Sequence, residues 1–313
     1  MVLPSQTTLD GASGCGNEIQ NLMSIVAYSA TNNGGTQTIG GTDYDFSDFV
    51  VDDSIRAFDQ DDLDARLAAA SFLFMVDMEG ALIGWDATSQ GKMKDFIQGG
   101  GVLVMTGTAG GKDADFLNDI FDWDTSSVRC SSSTAAKDDT NTAGTPFETG
   151  PATIQTTMSA TDCLSCGTAS CKAMYGSASN AMVTVFDGPE IGKGTVIFIG
   201  WDFFNAGRAA TIPGGWKTGA ATIAHPECGS GVNPVSSEIL PLALFYAKEV
   251  AEEVAEAAEA AAPVSGEIFD DPHVRTLSGN QFFLHGVGVF DYATIPGVIK
   301  TQVYMCPFAP CTK

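Results

Sequence analysis

Basic residues are scarce in this sequence, and their scarcity excludes several kinds of partner. Only 15 Lys and Arg stand against 38 Asp and Glu in 313 residues, which gives a formal net charge of -23 at pH 7. Because there is no run of Lys or Arg, the chain lacks the basic surface that a nucleic acid or an anionic membrane surface attracts. The sequence therefore predicts no nucleic-acid partner.

Long apolar runs are missing as well. The longest near-continuous apolar stretch, residues 68–76, is far shorter than the roughly 20 residues of a spanning helix, so no membrane span is predicted. The first residues lack the basic and apolar regions of a secretory signal, so no signal peptide is visible. No Asn-X-Ser/Thr sequon with a permitted middle residue occurs, so glycosylation does not help to place the protein.

The chain does contain enough apolar sequence for folded domains. Hydrophobic residues make up 44% of it and the mean hydropathy is +0.09, which argues against a disordered chain. The length suggests about two domains with a sizeable core. The excess of carboxylates has two interpretations, a solubilising surface and the attraction of divalent cations.

Eight cysteines lie in segments rich in Gly, Ser and Thr. They are Cys15, Cys130, Cys163, Cys166, Cys171, Cys228, Cys306 and Cys311. An even number in loop-like contexts predicts disulfides and an oxidising compartment. The alternative is a metal knuckle at Cys163, Cys166 and Cys171, but three thiolates without a nearby His do not complete a tetrahedral zinc site. Predicted disulfides and the lack of a visible signal peptide are compatible if the given sequence lacks the true start of the chain.

Residues 1–250 alternate short apolar runs with amphipathic segments, which is the pattern of an α/β domain. We expect strands at residues 24–30, 46–53, 71–77 and 101–107, and helices over 61–70, from an N-cap at Thr88 to the glycines at 99–101, and over 113–123. The helix that starts at Thr88 carries an apolar stripe of Met93, Phe96 and Ile97. Because it lies between two apolar strands, it predicts a parallel crossover.

The second half of this region is less regular. Residues 124–180 are rich in Ser, Thr, Ala and Gly and hold four of the eight cysteines, which predicts a disulfide-linked insertion rather than part of the core. The parallel pattern resumes in the apolar runs at 181–187 and 195–204. A further helix is predicted over 236–250.

An Ala- and Glu-rich run separates this region from the rest of the chain. Both residues favour helix, so 251–264 is predicted to be a helical linker, and the equal alternative is the solvated end of the preceding helix. After Pro263 the sequence becomes aromatic and alternating. We therefore place a domain boundary there and expect a separate β region over 265–313.

The order of these elements, with GGGVLVMTG at 99–107 and GKGTVIFIGWDFF at 192–204, resembles a class I glutamine amidotransferase-like domain over roughly residues 20–250. The resemblance implies a doubly wound, mostly parallel, flavodoxin-like sheet. In such sheets ligands bind beyond the carboxyl ends of the strands. The corresponding positions here are near residues 77–79, 106–111 and 200–202.

The same resemblance points to catalytic candidates. Active members of the family carry a thiolate in a Gly-x-Cys-x-Gly elbow, where this chain has Gly107-Thr108-Ala109-Gly110-Gly111. Ala109 has no nucleophilic atom, and the Thr108 hydroxyl is a weak nucleophile without a base. His225 and Glu227 are similar to the base and orienting carboxylate of the family, and a structural loop is the alternative interpretation. The glycines could instead cradle a phosphate at a helix N-terminus.

Residues 267–296 resemble the opening of a von Willebrand factor type D domain. The matching residues are Asp271, Pro272, His273, Thr276, Ser278, Gly279, Phe282, Phe283, Gly286 and Tyr292. Asp270 replaces the usual first glycine, and Gly288 stands where the family often has cysteine. Such domains run well over a hundred residues, so this all-β segment is expected to be truncated. The pattern around Gly279 also predicts a β-hairpin.

The Asp271–Pro272 bond suggests one covalent hypothesis. The carboxylate of Asp271 could attack its own carbonyl while His273 protonates the leaving proline nitrogen, which would cut the chain under mild acid. The alternative is structural, with Pro272 beginning a strand and His273 hydrogen-bonded within a sheet. Some proteins with the related tetrapeptide cleave themselves at this bond.

Two functions remain open from the sequence. The first is a non-catalytic extracellular or cell-surface protein with a structural, adhesive or binding role. The type D resemblance implies that its partners are other extracellular proteins or glycans, with self-assembly and calcium as further expectations. The second is a hydrolase or amidotransferase-like enzyme that uses Thr108, His225 and Glu227 in the first domain.

Overall fold

The computed structural model describes most of the first 261 residues and short parts of the remainder. The described ranges are 2–4, 35–50, 52–55, 57–75, 78, 82–107, 111–156, 162–201, 238–261, 273–275, 281–283, 288–295 and 299–305. Residue contacts divide the chain into two units, Met1–Ala255 and Glu256–Lys313. The division falls inside the segment that was predicted to be a linker.

The first unit alternates helices and strands. Its strands are β1 (Val2–Pro4), β2 (Thr36–Ile39), β3 (Thr42–Asp45), β4 (Asp52–Ile55), β5 (Phe72–Met75), β6 (Val102–Thr106), β7 (Ser126–Val128), β8 (Thr134–Ala136), β9 (Thr153–Gln155), β10 (Cys163–Ser165), β11 (Lys172–Ser177), β12 (Asn180–Phe186) and β13 (Thr195–Ile199). Its helices are α1 (Leu63–Ala69), α2 (Ala87–Gln98), α3 (Lys112–Phe121), α4 (Asp139–Thr142) and α5 (Leu240–Ala261), with 3-10 turns at Pro146–Thr149 and Pro189–Ile191. The α/β class predicted from the sequence is confirmed.

The main sheet has a parallel half in the order β4-β1-β5-β6-β13. Strands β5 and β6 pair in register, with Phe74 opposite Val104, and α2 connects them. The parallel crossover predicted around this helix is therefore confirmed. Both strands are buried along their whole length, as expected of parallel strands covered on two faces.

The other half of the main sheet is antiparallel. Strand β12 pairs antiparallel with β11 and β13, and β10 pairs antiparallel with β12 and β7. The described main sheet thus contains four parallel and four antiparallel pairings, and it is mixed rather than mostly parallel. The prediction that β12 resumes the parallel pattern is wrong, because only residues 187–194 join it to β13. A parallel crossover needs about a dozen residues.

The segment 124–180 is part of the core. Strands β7, β10 and β11 belong to the main sheet, and Phe147, Leu164 and Tyr175 are fully buried in the central cluster. The expectation that this segment lies outside the core is therefore wrong. Its predicted disulfide character is confirmed for the four cysteines that it holds, as described below.

Aromatic rings bridge the elements that cover the sheet. Trp123 stacks between Phe121 and Phe186, with ring centroids 4.4 and 4.9 Å away, so the end of α3 is fixed against β12. On α5, Phe245 meets Tyr44 edge to face at 4.8 Å. These contacts tie the β2–β3 hairpin to the helix.

Helix α2 begins two residues earlier than predicted. Its N-cap is Asp86, whose carboxylate accepts hydrogen bonds from the backbone N–H groups of Thr88 and Ser89 at 2.9 Å. These bonds, led by the one from Ser89, hold the pKa of the Asp86 carboxyl below its usual value. Of the predicted apolar stripe, Met93 and Ile97 are fully buried.

Gly91 in the interior of α2 offers a stability test. A methyl group at this position would meet nothing within 4 Å, so Gly91→Ala is expected to raise the free energy of unfolding by about 1 kcal/mol. The matched variant Gly194→Ala is expected to lower it, because the added carbon would overlap the carbonyl oxygen of Ile97. Equilibrium urea unfolding measures both, and a destabilised Gly91→Ala protein would contradict the first expectation.

Other predicted elements are confirmed, shifted or outside the described residues. Helices α1 and α3 occur where the sequence placed them, and the expected strand at 46–53 is displaced to β4. The expected strand at 24–30 lies outside the described residues. Helix α5 continues without a break through residue 250 to Ala261, so the Ala- and Glu-rich run extends the preceding helix.

The second unit contains two antiparallel pairs. Strand β14 (His273–Arg275) pairs with β15 (Gln281–Phe283), and β16 (Gly288–Ile295) pairs with β17 (Ile299–Met305). The first pairing is the hairpin predicted on either side of Gly279, which itself lies outside the described residues.

Candidate functional site

The carboxyl ends of β5, β6 and β13 meet at the edge of the sheet where the sequence predicted a ligand. Asp113, in the first turn of α3, is buried there, and its Oδ1 accepts a hydrogen bond from the backbone N–H of Met78 at 2.9 Å. A Cβ on Gly107 would lie 2.5 Å from the ring of Phe198 and 3.2 Å from Asp113 Oδ2. Only glycine therefore fits after β6, and Asp113 fixes the chain that follows β5.

Two buried polar atoms at this edge have no hydrogen-bond partner among the described residues. They are the Oγ1 of Thr106, the last residue of β6, and the Nε1 of Trp201, which follows β13. Unpaired buried polar groups are rare in folded proteins.

None of the predicted catalytic residues is among the described residues. Thr108, His225 and Glu227 all lie outside them, so the dyad stays a prediction.

Gly111 adopts a left-handed conformation (φ 78°) and caps α3 without a side-chain bond. The first turn of this helix contains Asp113 and Asp115, which disfavour the predicted phosphate because the carboxylates repel an anion.

The self-cleavage hypothesis also stays a prediction. Asp271 and Pro272 lie outside the described residues. His273 begins β14, where its backbone is in register with Phe283.

A cavity of about 810 Å³ opens at the opposite, amino-terminal edge of the sheet. It lies between α1, α2 and α5, with the starts of β5 and β6 at its base. Its lining consists of Asp48, Phe49, Val50, Asp64, Leu67, Ala68, Ala69, Ala70, Ser71, Phe72, Lys92, Asp95, Phe96, Gly99, Gly100, Gly101, Lys248, Ala251, Glu252 and Ala255. Reasoning from the sequence did not predict this site.

The two cationic side chains of the cavity are already paired. Lys92 Nζ lies 3.1 Å from a carboxylate oxygen of Asp64, which joins α2 to α1. Lys248 Nζ lies 2.9 Å from Asp48 and 4.0 Å from Glu252. Lys248 Nζ also lies 5.7 Å from the centre of the Phe49 ring, whose face attracts the ammonium group.

The glycine run at residues 99–101 shapes the base of the cavity. Gly100 has φ 118°, and a Cβ there would overlap the side chain of Val254 on α5. A Cβ on Gly101 would lie 2.5 Å from the ring of Phe96. The run ends α2, as predicted, and also lets α5 and Phe96 approach the start of β6.

Two disulfides lie in the antiparallel half of the first unit. Cys130 is bonded to Cys163 and Cys166 to Cys171, with Cα atoms 5.0 and 6.2 Å apart. These bonds engage the three cysteines that a metal knuckle would have used. The other predicted disulfide candidates, Cys15, Cys228, Cys306 and Cys311, lie outside the described residues.

A hydrogen-bonded turn supports the smaller disulfide loop. Thr168, inside the loop, donates to the Asp124 carboxylate through its hydroxyl at 2.8 Å and through its backbone N–H. These two bonds hold the pKa of the Asp124 carboxyl below its usual value. The loop is thus anchored to the segment that follows α3.

The described residues contain neither a metal-binding cluster nor a helix that could span a membrane. No group of three or more His, Cys, Asp or Glu in this part of the chain is arranged to hold a metal ion, so the calcium prediction remains without a ligand set. Within the same residues, every helix is too short or too polar to cross a bilayer.

Comparison with known proteins leaves the family open. No protein-family model and no curated protein matches the chain. A solved chain described as "mmIFT52 N-terminal domain" aligns at 10% identity over 64% of this chain and 85% of that chain, with a TM-score of 0.39. A likeness of that strength carries no argument about function.

Proposed function

We propose that this chain is a non-catalytic extracellular binding protein whose α/β unit holds a ligand and does not transform it. The cavity at the amino-terminal edge of the sheet carries the proposal. Its volume of about 810 Å³ falls within the roughly 300–1,000 Å³ of small-molecule sites, and it combines aromatic walls with charged groups.

The disulfides support the extracellular location. Structural disulfides persist in oxidising compartments and are rare in the cytosol of most organisms. Cys163 and Cys166 are almost completely buried, so their bonds belong to the packed core. A thiol-reducing compartment would be a poor place to fold this unit.

The order of the parallel strands supports a flavodoxin-like, amidotransferase-like origin for the first domain. Numbered along the chain, the five parallel strands lie in the order 2-1-3-4-5, which is the flavodoxin-like order. The place of the family's nucleophile is taken by Ala109. A fold of this kind without its thiol is suited to binding.

For the second unit we propose the start of a type D domain that contributes adhesion or self-assembly. The motif around Asp271-Pro272-His273 supports this assignment, and so does the β14–β15 hairpin. Other extracellular proteins or glycans are the partners that such a role implies, with calcium as the candidate ion.

Alkylation without reduction tests the compartment. The unreduced protein is denatured in the presence of iodoacetamide and digested, and the peptides are analysed by mass spectrometry. We expect Cys130, Cys163, Cys166 and Cys171 to escape alkylation until a reductant is added. Four alkylated thiols in protein taken directly from its producing cells would overturn the extracellular assignment.

A turnover assay tests the absence of catalysis. The full chain is incubated with glutamine, and released ammonia is measured beside a Thr108→Ala variant. We expect both proteins to match the buffer blank, because residue 109 offers no attacking atom. Ammonia release that the Thr108→Ala variant loses would favour the enzyme hypothesis.

A further inference from the structure

The lining of the cavity has an excess of negative charge. Four carboxylates (Asp48, Asp64, Asp95 and Glu252) and two ammonium groups (Lys92 and Lys248) face it, so its formal charge is -2. An anionic ligand would be repelled by this set and by the net charge of -23 on the whole chain.

Both lysines are held in close ion pairs, whereas one acid is paired only at long range and another enters no ion pair among the described residues. Asp64 and Asp48 hold the lysines at 3.1 and 2.9 Å. Glu252 lies at 4.0 Å from Lys248, which is the edge of ion-pair range. Asp95 is exposed, and within the described residues it enters no ion pair. The uncompensated charge therefore lies on Asp95 of α2 and Glu252 of α5.

Much of the rest of the lining is apolar. Phe49 and Phe96 are half-buried, so each exposes part of its ring, while Leu67 and Phe72 are buried beneath. Alanines from α1 and α5 complete the walls. The ammonium group of Lys248 lies 5.7 Å from the centre of the Phe49 ring, so one cation already borders this ring.

We propose that this cavity binds a small organic ammonium ion that has an apolar body. The apolar part would cover the phenylalanine rings and the alanine walls, and the ammonium group would pair with Asp95 or Glu252. The proposal rests on the binding function given above and names its ligand class. A bare metal ion fits less well, because the cavity is far larger than an ion and no group of three or more His, Cys, Asp or Glu in the described residues is arranged to hold one.

Three probes with the same aromatic body separate charge from shape. They are 2-phenylethylammonium, 2-phenylethanol and phenylacetate, titrated into the full chain by calorimetry at low ionic strength. We expect the ammonium ion to bind about tenfold more tightly than the alcohol, which corresponds to about 1.4 kcal/mol, and phenylacetate to bind weakest. High salt should reduce the advantage of the cation, because it screens partly exposed charges.

Two variants locate the effect. Asp95→Asn together with Glu252→Gln should abolish the preference for the ammonium ion while the affinity for the alcohol stays within about twofold. Asp115→Asn, an exposed acid on α3 outside the cavity lining, is the matched control and should keep the preference.

The outcomes separate this proposal from the broader one. Equal affinity for the ammonium ion and the alcohol overturns the ligand class and leaves the binding function intact. Failure of all three probes to bind overturns the assignment of this cavity as an ammonium site. Free thiols in the alkylation assay or ammonia release would instead overturn the extracellular, non-catalytic function.

Discussion

Replacing Cys130 and Cys163 together by alanine is expected to lower the free energy of unfolding by about 4 kcal/mol. The bond closes a loop with a sequence separation of 33, and a cross-link of that span removes much of the conformational entropy of the unfolded chain. Cys163 is also buried at 1% exposure in β10, so its loss removes packing as well as the cross-link. This loss is a large fraction of the stability of a typical domain.

The second disulfide provides the control. Cys166 and Cys171 are separated by five residues, and the same chain-entropy argument gives about 2 kcal/mol for the matched double variant. Urea unfolding followed by tryptophan fluorescence reports on the first unit, because all four tryptophans precede residue 256. An equal or smaller loss for the Cys130/Cys163 variant would contradict the loop-length argument.

Three of the five parallel strands, β5, β6 and β13, could be predicted because burial leaves a plain trace in the sequence, whereas β1 was not predicted and β4 was displaced. Strands covered on both faces appear as unbroken apolar runs, and SFLFM, VLVMT and TVIFI are such runs. The helices beside them show apolar residues at helical spacing, as in Phe116, Leu117 and Ile120 of α3. In these strands and helices, the residues that the apolar pattern of the sequence marks as core are the ones that the structure buries.

Strand direction was the part that composition did not reveal. The β12 sequence is as apolar as a parallel strand, yet it runs antiparallel to all three strands with which it pairs, β10, β11 and β13. Connection length contains the missing information, since two residues join β11 to β12 and a short segment joins β12 to β13. Only hairpin-like links fit such distances. Counting these residues would have given the mixed sheet.

The cavity could not have been found by motif. Its lining comes from four stretches of sequence that only the fold brings together, and no stretch holds a recognisable binding pattern. The glycines at 99–101 were assigned to the end of a helix, which is correct but incomplete. Their second role depends on Val254, more than 150 positions later in the chain.

Replacing Phe74 by alanine is expected to cost about 4 kcal/mol of unfolding free energy, within the range of roughly 3–5 kcal/mol for buried aromatic residues. Phe74 is 0% exposed in β5, a strand bounded on one side by β1 and on the other by β6. The ring belongs to the central cluster of buried residues, so the truncated side chain would leave a void that its neighbours fill only in part.

Phe74→Leu is the matched control, and it should cost less than about 2 kcal/mol because most of the buried volume is kept. Both variants are compared with the unaltered chain by urea unfolding, and circular dichroism at zero denaturant checks that each is folded. Similar losses for alanine and leucine would mean that the site tolerates collapse. That result would contradict the tightly packed centre that the burial of β5 implies. Because β5 reaches the cavity at Phe72 and the opposite edge at Met75, a rigid centre is also what would keep both edges in place.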